Sequence, residues 1–177
     1  MSKNIPKELL SKMDYLKDVS LFRDLEENEI NTVVTEMKVR EIEAGQFFIK
    51  EGDSDNTIYI LLEGEVEISK SLVLPQWIQS SQKQEKSLLH LSEKHHPFFG
   101  EMAMFDDIAE RSASVKTVKT CLMAMLTKKD LLSICEKDAR IGMLIYRNIA
   151  SELVVRLRKA NRDILKLTTA FTLALEG

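Results

Sequence analysis

The chain is short of the residues that mark several function classes. Among its 177 residues there are only two cysteines, Cys121 and Cys135, in mainly apolar surroundings and without metal-ligand spacing. That gives no support to an iron–sulfur centre and fits buried thiols in a reducing compartment. No excess of one charge is present: 25 Lys+Arg stand against 28 Asp+Glu, a formal net charge of −3. The balance argues against a whole-surface basic footprint for nucleic acid. No apolar run approaches the roughly 20 residues needed to cross a bilayer. The start, Met1-Ser-Lys-Asn-Ile-Pro, lacks the apolar core of a secretory signal. These absences lead us to expect a cytoplasmic protein without a membrane partner. No Ser-His-Asp set or paired carboxylates with a catalytic frame emerge either, so we expect a protein that is not an enzyme.

What is present is enough apolar material, 44% of the chain, for one sizeable core. The 30% charged share contains no long single-sign block and belongs on exposed helix faces. Three regimes follow one another. Residues 1–38 read as helical: Leu9, Leu10, Met13 and Leu16 fall at helical spacing, and Ile30, Val33, Val34 and Met37 mark a second apolar face. The run from Asp24 to Ile30 resembles a helix start, with acids where they complement the dipole.

Residues 39–127 change texture. Short β-prone runs such as Thr57-Ile-Tyr-Ile-Leu-Leu lie between turn signals such as Glu51-Gly-Asp-Ser-Asp-Asn and Leu62-Glu-Gly-Glu. The spacing predicts a mainly β sandwich or jelly-roll barrel. A hairpin insertion at about 70–97, carrying Pro75 and Trp77, interrupts it. Residues 128–177 turn helical again, with Thr127 as a candidate cap. A long helix from about Asp138 carries Ile145, Ile149, Leu153, Leu157, Ala160, Ile164, Leu167, Phe171 and Leu175 at spacings of three and four. So long a stripe cannot be buried against a small barrel, and a second copy in a two-fold homodimer covers it most simply.

The most informative stretch runs from Phe98 to Val115. Gly100 permits positive φ or a close backbone approach. Glu101-Met-Ala-Met-Phe can form one helical turn whose free N–H groups attract an anion. Ten residues later Arg111 precedes the small residues Ser112, Ala113 and Ser114. An arginine among small residues at a strand start suits a planar oxyanion such as phosphate. Glu101 would accept from hydroxyls and not from phosphate. Together they describe a ligand with both a phosphate and a sugar hydroxyl.

At these residues the sequence resembles the cyclic nucleotide-binding domain family, over roughly Leu21 to Arg162, and especially its catabolite-activator branch. The family's phosphate cassette reads Phe-Gly-Glu-x-Ala-Leu, then Arg-Ser/Thr-Ala; here it is Phe99-Gly-Glu-Met-Ala-Met and Arg111-Ser-Ala. Gly45, Gly52 and Gly64 agree with its glycine pattern. The resemblance implies a double-stranded β-helix barrel with N-terminal helices and a long C-terminal helix. It implies that Arg111 pairs with the cyclic phosphate and Glu101 accepts the ribose 2′-hydroxyl. Phe99, Gly100, Met102, Ala103, Ser112 and Ala113 complete the cassette. The C-terminal helix covers the base near Arg156, Ala160 and Asn161. Where the branch has a hydroxyl pair this chain has Ala160-Asn161, which leaves cAMP, cGMP or another cyclic nucleotide open. The branch continues into a DNA-reading helix-turn-helix; this chain stops at Gly177, so direct DNA binding is not expected, and the readout would lie in an unknown downstream protein.

Two other readings stay open at this stage. Arg111 and Glu101 could form a structural ion pair in a ligand-free interaction module. His90, His95 and His96 invite comparison with metal-binding cupin enzymes, yet an extended His95-His96 pair would point to opposite faces. No metal cofactor is therefore expected.

Overall fold

The computed structural model describes residues 4–71, 85–105 and 110–176. The Trp77 end of the expected insertion lies outside the described residues. The architecture is a β-barrel of two antiparallel four-stranded sheets, flanked by helices at both ends of the sequence.

The N-terminal part comprises α1 (Lys7–Leu10), α2 (Met13–Asp18), a 3-10 turn at Ser20–Phe22 and α3 (Glu27–Glu36). The continuous apolar spacing over Lys7–Leu16 is split at Ser11, whose hydroxyl donates to the Glu8 carbonyl at 2.9 Å. Helix α3 begins later than Asp24 because that residue has φ +63, outside helical space. The Glu29 carboxylate caps it by accepting from the Glu26 N–H at 2.7 Å.

Strands β1 (Lys38–Ile42), β2 (Phe47–Ile49), β3 (Thr57–Glu63), β4 (Glu65–Ser71), β5 (Glu85–Ser92), β6 (Phe98–Phe99), β7 (Ser114–Thr117) and β8 (Cys121–Thr127) follow. One sheet has the order β1-β8-β3-β6 and the other β2-β7-β4-β5. The inner strand β3 of the first sheet is covered on both faces. In β3, Ile58, Ile60 and Leu62 meet the helices, while Tyr59 and Leu61 face the barrel interior. Phe98 and Phe99 divide in the same way. Burial on both faces is why β3 reads as an unbroken apolar run without alternation. Gly64 joins β3 to β4 at φ +102, where a Cβ would stand 2.6 Å from the Thr120 carbonyl and the Cys121 sulfur.

Helix α4 (Lys128–Lys137) starts at Thr127, whose hydroxyl oxygen accepts from the Asp130 N–H at 3.2 Å. Helix α5 (Ala139–Glu176) has 38 residues. At 1.5 Å per residue it is about 57 Å long. Its first half is bound down: Ile141, Ile145 and Ile149 are buried with Leu21, Phe22 and Val33. Arg140 pairs with Glu29 and Arg147 with Asp24, and the Asn148 amide donates to the Leu21 and Arg23 carbonyls. The second half projects, leaving Leu157, Ile164, Leu167, Phe171 and Leu175 exposed. Among the described residues no helix is long and apolar enough to cross a membrane.

Candidate functional site

The turn before β3 builds the site. The Arg111 N–H donates to the Asp53 carbonyl and the Arg111 carbonyl accepts from the Gly52 N–H, both at 2.9 Å. The residue that enters β7 is therefore held against the turn that enters β3. The Arg111 side chain is buried, with a residue exposure of 4%. Its Nη1 donates to the Gly100 carbonyl at 2.9 Å, and its Nη2 to the Thr57 carbonyl at 2.9 Å and to Asp55 Oδ2 at 2.5 Å. The guanidinium also lies over the Tyr59 ring, 5.6 Å from the centroid. Its Nε is buried and has no hydrogen-bond partner.

Gly100 and Glu101 come from the end of β6. Gly100 takes φ +86 and opens a four-residue 3-10 turn at Glu101–Met104 in place of a turn of α-helix. Glu101 is 1% exposed. Its Oε1 accepts from Arg156 Nη1 of α5 at 2.7 Å, and its Oε2 is buried without a partner. Arg156 also donates from Nη2 to the Phe98 carbonyl at 2.8 Å and from Nε to Glu152 at 3.1 Å. The alternative of an Arg111–Glu101 ion pair is thus replaced by two separate pairs, Arg111–Asp55 and Glu101–Arg156.

A cavity of about 120 Å³ is lined by Phe99, Gly100, Glu101, Met102, Ala103, Arg111, Ser112, Ala113 and Arg156. It opens beside a groove of about 670 Å³ between β5 and α5, with Ile68, Phe99 and Arg156 common to both. Leu88, Leu89, Leu91 and Val155 give the groove an apolar lining, and Ala160 reaches it. The structure does not bring Asn161 to either space, since one step of 100° past Ala160 turns it away. Met102 is exposed and accepts a weak hydrogen bond from Ser112 Oγ at 3.5 Å.

Asp55 was missed by sequence reasoning. It lies 56 residues before Arg111, inside a segment legible only as a turn. Its Oδ1 accepts from Thr57 Oγ1 at 2.8 Å and its Oδ2 from the Tyr59 hydroxyl at 3.2 Å. Burial pushes its pKa up, but hydrogen bonds from Arg111 and Thr57 prevail and hold the carboxyl below its ordinary value. His95 and His96 are not an extended pair. His95 closes a 3-10 turn, and His96 takes φ +47 and packs on Tyr15 with ring centroids 4.5 Å apart.

A jelly-roll barrel with a buried cation and a buried carboxylate on one small cavity defines a binding domain for a polar small molecule. The family model of the cyclic nucleotide-binding domain matches residues 39–138, and the chain belongs to that family. It is 30% identical to human cGMP-dependent protein kinase 2 over 105 residues, 58% of this chain and 12% of the kinase. It is 26% identical to the cAMP-activated global transcriptional regulator CRP of Haemophilus influenzae over 134 residues, 76% of this chain and 54% of the regulator. The chain therefore spans a small part of the kinase and about half of the regulator. The crystal structure of the Thermus thermophilus catabolite activator protein superposes with a TM-score of 0.70 at 26% identity, covering 84% of this chain and 63% of that one.

Proposed function

We propose that this protein is a non-enzymatic sensor of a cyclic mononucleotide, cAMP in the first instance and cGMP as the alternative. The observation that carries the reading is the pair of buried atoms without partners, Arg111 Nε and Glu101 Oε2, on one cavity. A buried polar group left unpaired costs about 1–3 kcal/mol, so a donor and an acceptor left open together fit a ligand that supplies both complements. A phosphodiester oxygen accepts from Arg111 Nε, and a ribose 2′-hydroxyl donates to Glu101 Oε2. Gly100 lets the backbone pass this close, Ser112 adds a hydroxyl donor, and the base extends into the groove beneath α5.

Signal transmission follows from Arg156. It joins the buried Glu101 carboxylate to the helix that leaves the barrel, so a hydroxyl on Oε2 acts on a group already bonded to α5. Phe105, just after the 3-10 turn, adds a second link through its edge-on contact with Tyr146 of α5 at 5.5 Å. A ligand that binds one setting of these links more tightly shifts α5 by that difference and no more.

The exposed half of α5 supports a homodimer. Leu157, Ile164 and Phe171 recur every seven residues, with Ala160, Leu167 and Ala174 as the companion series. In a parallel pair, Asn161 of a second copy falls beside Arg156 of the first, at the edge of the groove, where its amide offers a donor and an acceptor to a purine edge. Readout passes to a downstream protein.

Calorimetric titration with cAMP and cGMP tests the reading. Saturable binding by the wild type and a loss of roughly tenfold to a hundredfold in Arg111→Ala are expected for a charge-assisted contact. Equal affinity in the two proteins contradicts the assignment. A dimer that binds neither nucleotide supports a ligand-free interaction module instead.

A further inference from the structure

Arg111 already carries a full counter-charge inside the protein. Asp55 Oδ2 stands 2.5 Å from Nη2, and both Asp55 oxygens are held by further donors, Thr57 Oγ1 and the Tyr59 hydroxyl. The other buried charge, Glu101, is likewise paired with Arg156. These four groups sum to zero and Glu110 also lines the cavity, so it has no net positive charge with which to draw in an anion. An incoming phosphodiester on Nε would meet a buried guanidinium whose opposite edge is bound to a carboxylate, two like charges sharing one cation.

We propose that Asp55 is an internal stand-in for the ligand's negative charge, a residue that stabilises the nucleotide-free barrel and sets the affinity for cyclic nucleotide below what Arg111 alone would give. The inference rests on the functional reading above. Its physical basis is that a buried guanidinium must have a compensating partner. Asp55 supplies one in the empty protein, and the ligand supplies a second. Removing the carboxylate charge leaves Arg111 dependent on the ligand.

Asp55→Asn separates charge from shape. The amide oxygen still accepts from Arg111 Nη2 and the Tyr59 hydroxyl, and the amide N–H can donate to Thr57 Oγ1. Relative to wild type, Asp55→Asn is expected to melt earlier when empty. It should also show a larger rise in melting temperature with cAMP or cGMP and bind the nucleotide roughly tenfold or more tightly. Adenosine and guanosine, which carry no charge, should show no such gain. A variant that folds only when cyclic nucleotide is present also supports the proposal. Equal or weaker binding of the nucleotide overturns it, as does a variant unfolded both with and without nucleotide. If the wild type binds neither cAMP nor cGMP, the functional reading fails and takes this inference with it. If the wild type binds and Asp55→Asn gains nothing, this inference alone fails.

Discussion

Replacing Gly100 with alanine perturbs the site through a single methyl group. At φ +86 a side chain is strained whatever space it finds, a cost of about 1–2 kcal/mol. Space is also missing: the added Cβ would stand 2.5 Å from Arg111 Nη1 and 2.7 Å from the Thr57 carbonyl. The carbonyl belongs to β3 and cannot retreat, so the guanidinium must. Its withdrawal breaks the 2.9 Å bond from Nη1 to the Gly100 carbonyl, worth about 1.5–3 kcal/mol for a charged donor. The expected loss is about 2.5–5 kcal/mol in chemical denaturation, together with loss of cyclic nucleotide binding in calorimetry. Gly45→Ala is the control. It has nearly the same φ, +81, with nothing within 4 Å of the added Cβ. It should cost the conformational share alone, about 1–2 kcal/mol, and leave affinity intact. Equal stability losses in the two variants, or a Gly100→Ala protein that binds like wild type, would refute the reasoning.

Other expectations follow from the same geometry. Arg156→Ala leaves both Glu101 oxygens buried without partners and frees α5 from β6. It should lower stability by about 1–3 kcal/mol and weaken nucleotide binding, measured by denaturation and calorimetry. The bond from Arg140, then that from the Glu26 N–H, holds the Glu29 carboxyl below its ordinary value of 4.5. A depressed folded-state pKa gives stability that is present above the unfolded value and lost as pH falls through the folded one. The melting temperature should therefore drop on the acid side of about pH 4.5, and Glu29→Gln should drop less steeply. Thr127→Ala removes the cap of α4 and should cost about 1 kcal/mol by thermal melting. Ile164→Lys places a charge in the exposed seam of α5 and should convert a dimer to a monomer in sedimentation equilibrium; a wild type that is already monomeric contradicts the seam.

The cassette was legible because its parts are local. Gly100, Glu101 and the small residues after Arg111 each announce a backbone or charge requirement within a few positions, and the fold brings them to one cavity. The barrel was legible from turn spacing, and the unbroken apolar run of β3 from its burial on both faces. Asp55 was not legible, because its role depends on a side chain 56 residues away, while its neighbours Gly52, Asp53 and Asn56 explain the segment as a turn. The stripe on α5 gave the right helix. Periodicity alone could not show that Ile145 and Ile149 are covered by the N-terminal helices while Leu157 and Ile164 are left open. Asn161 shows the same limit: sequence placed it near the base, and one helical step turns it from its own groove toward the face where a second copy would lie.

The most direct test of the central claim is a thermal-shift series with cAMP, cGMP and the linear nucleotide AMP on the wild type and Arg111→Ala. At a hundred times the dissociation constant a ligand adds about 2.7 kcal/mol to the folded state. The account predicts a rise in melting temperature with at least one cyclic nucleotide, a smaller one with AMP, and in Arg111→Ala a rise cut to about half or less at the same nucleotide concentration. A wild type whose melting temperature responds to neither cyclic nucleotide, or an Arg111→Ala protein that responds as fully, would contradict it.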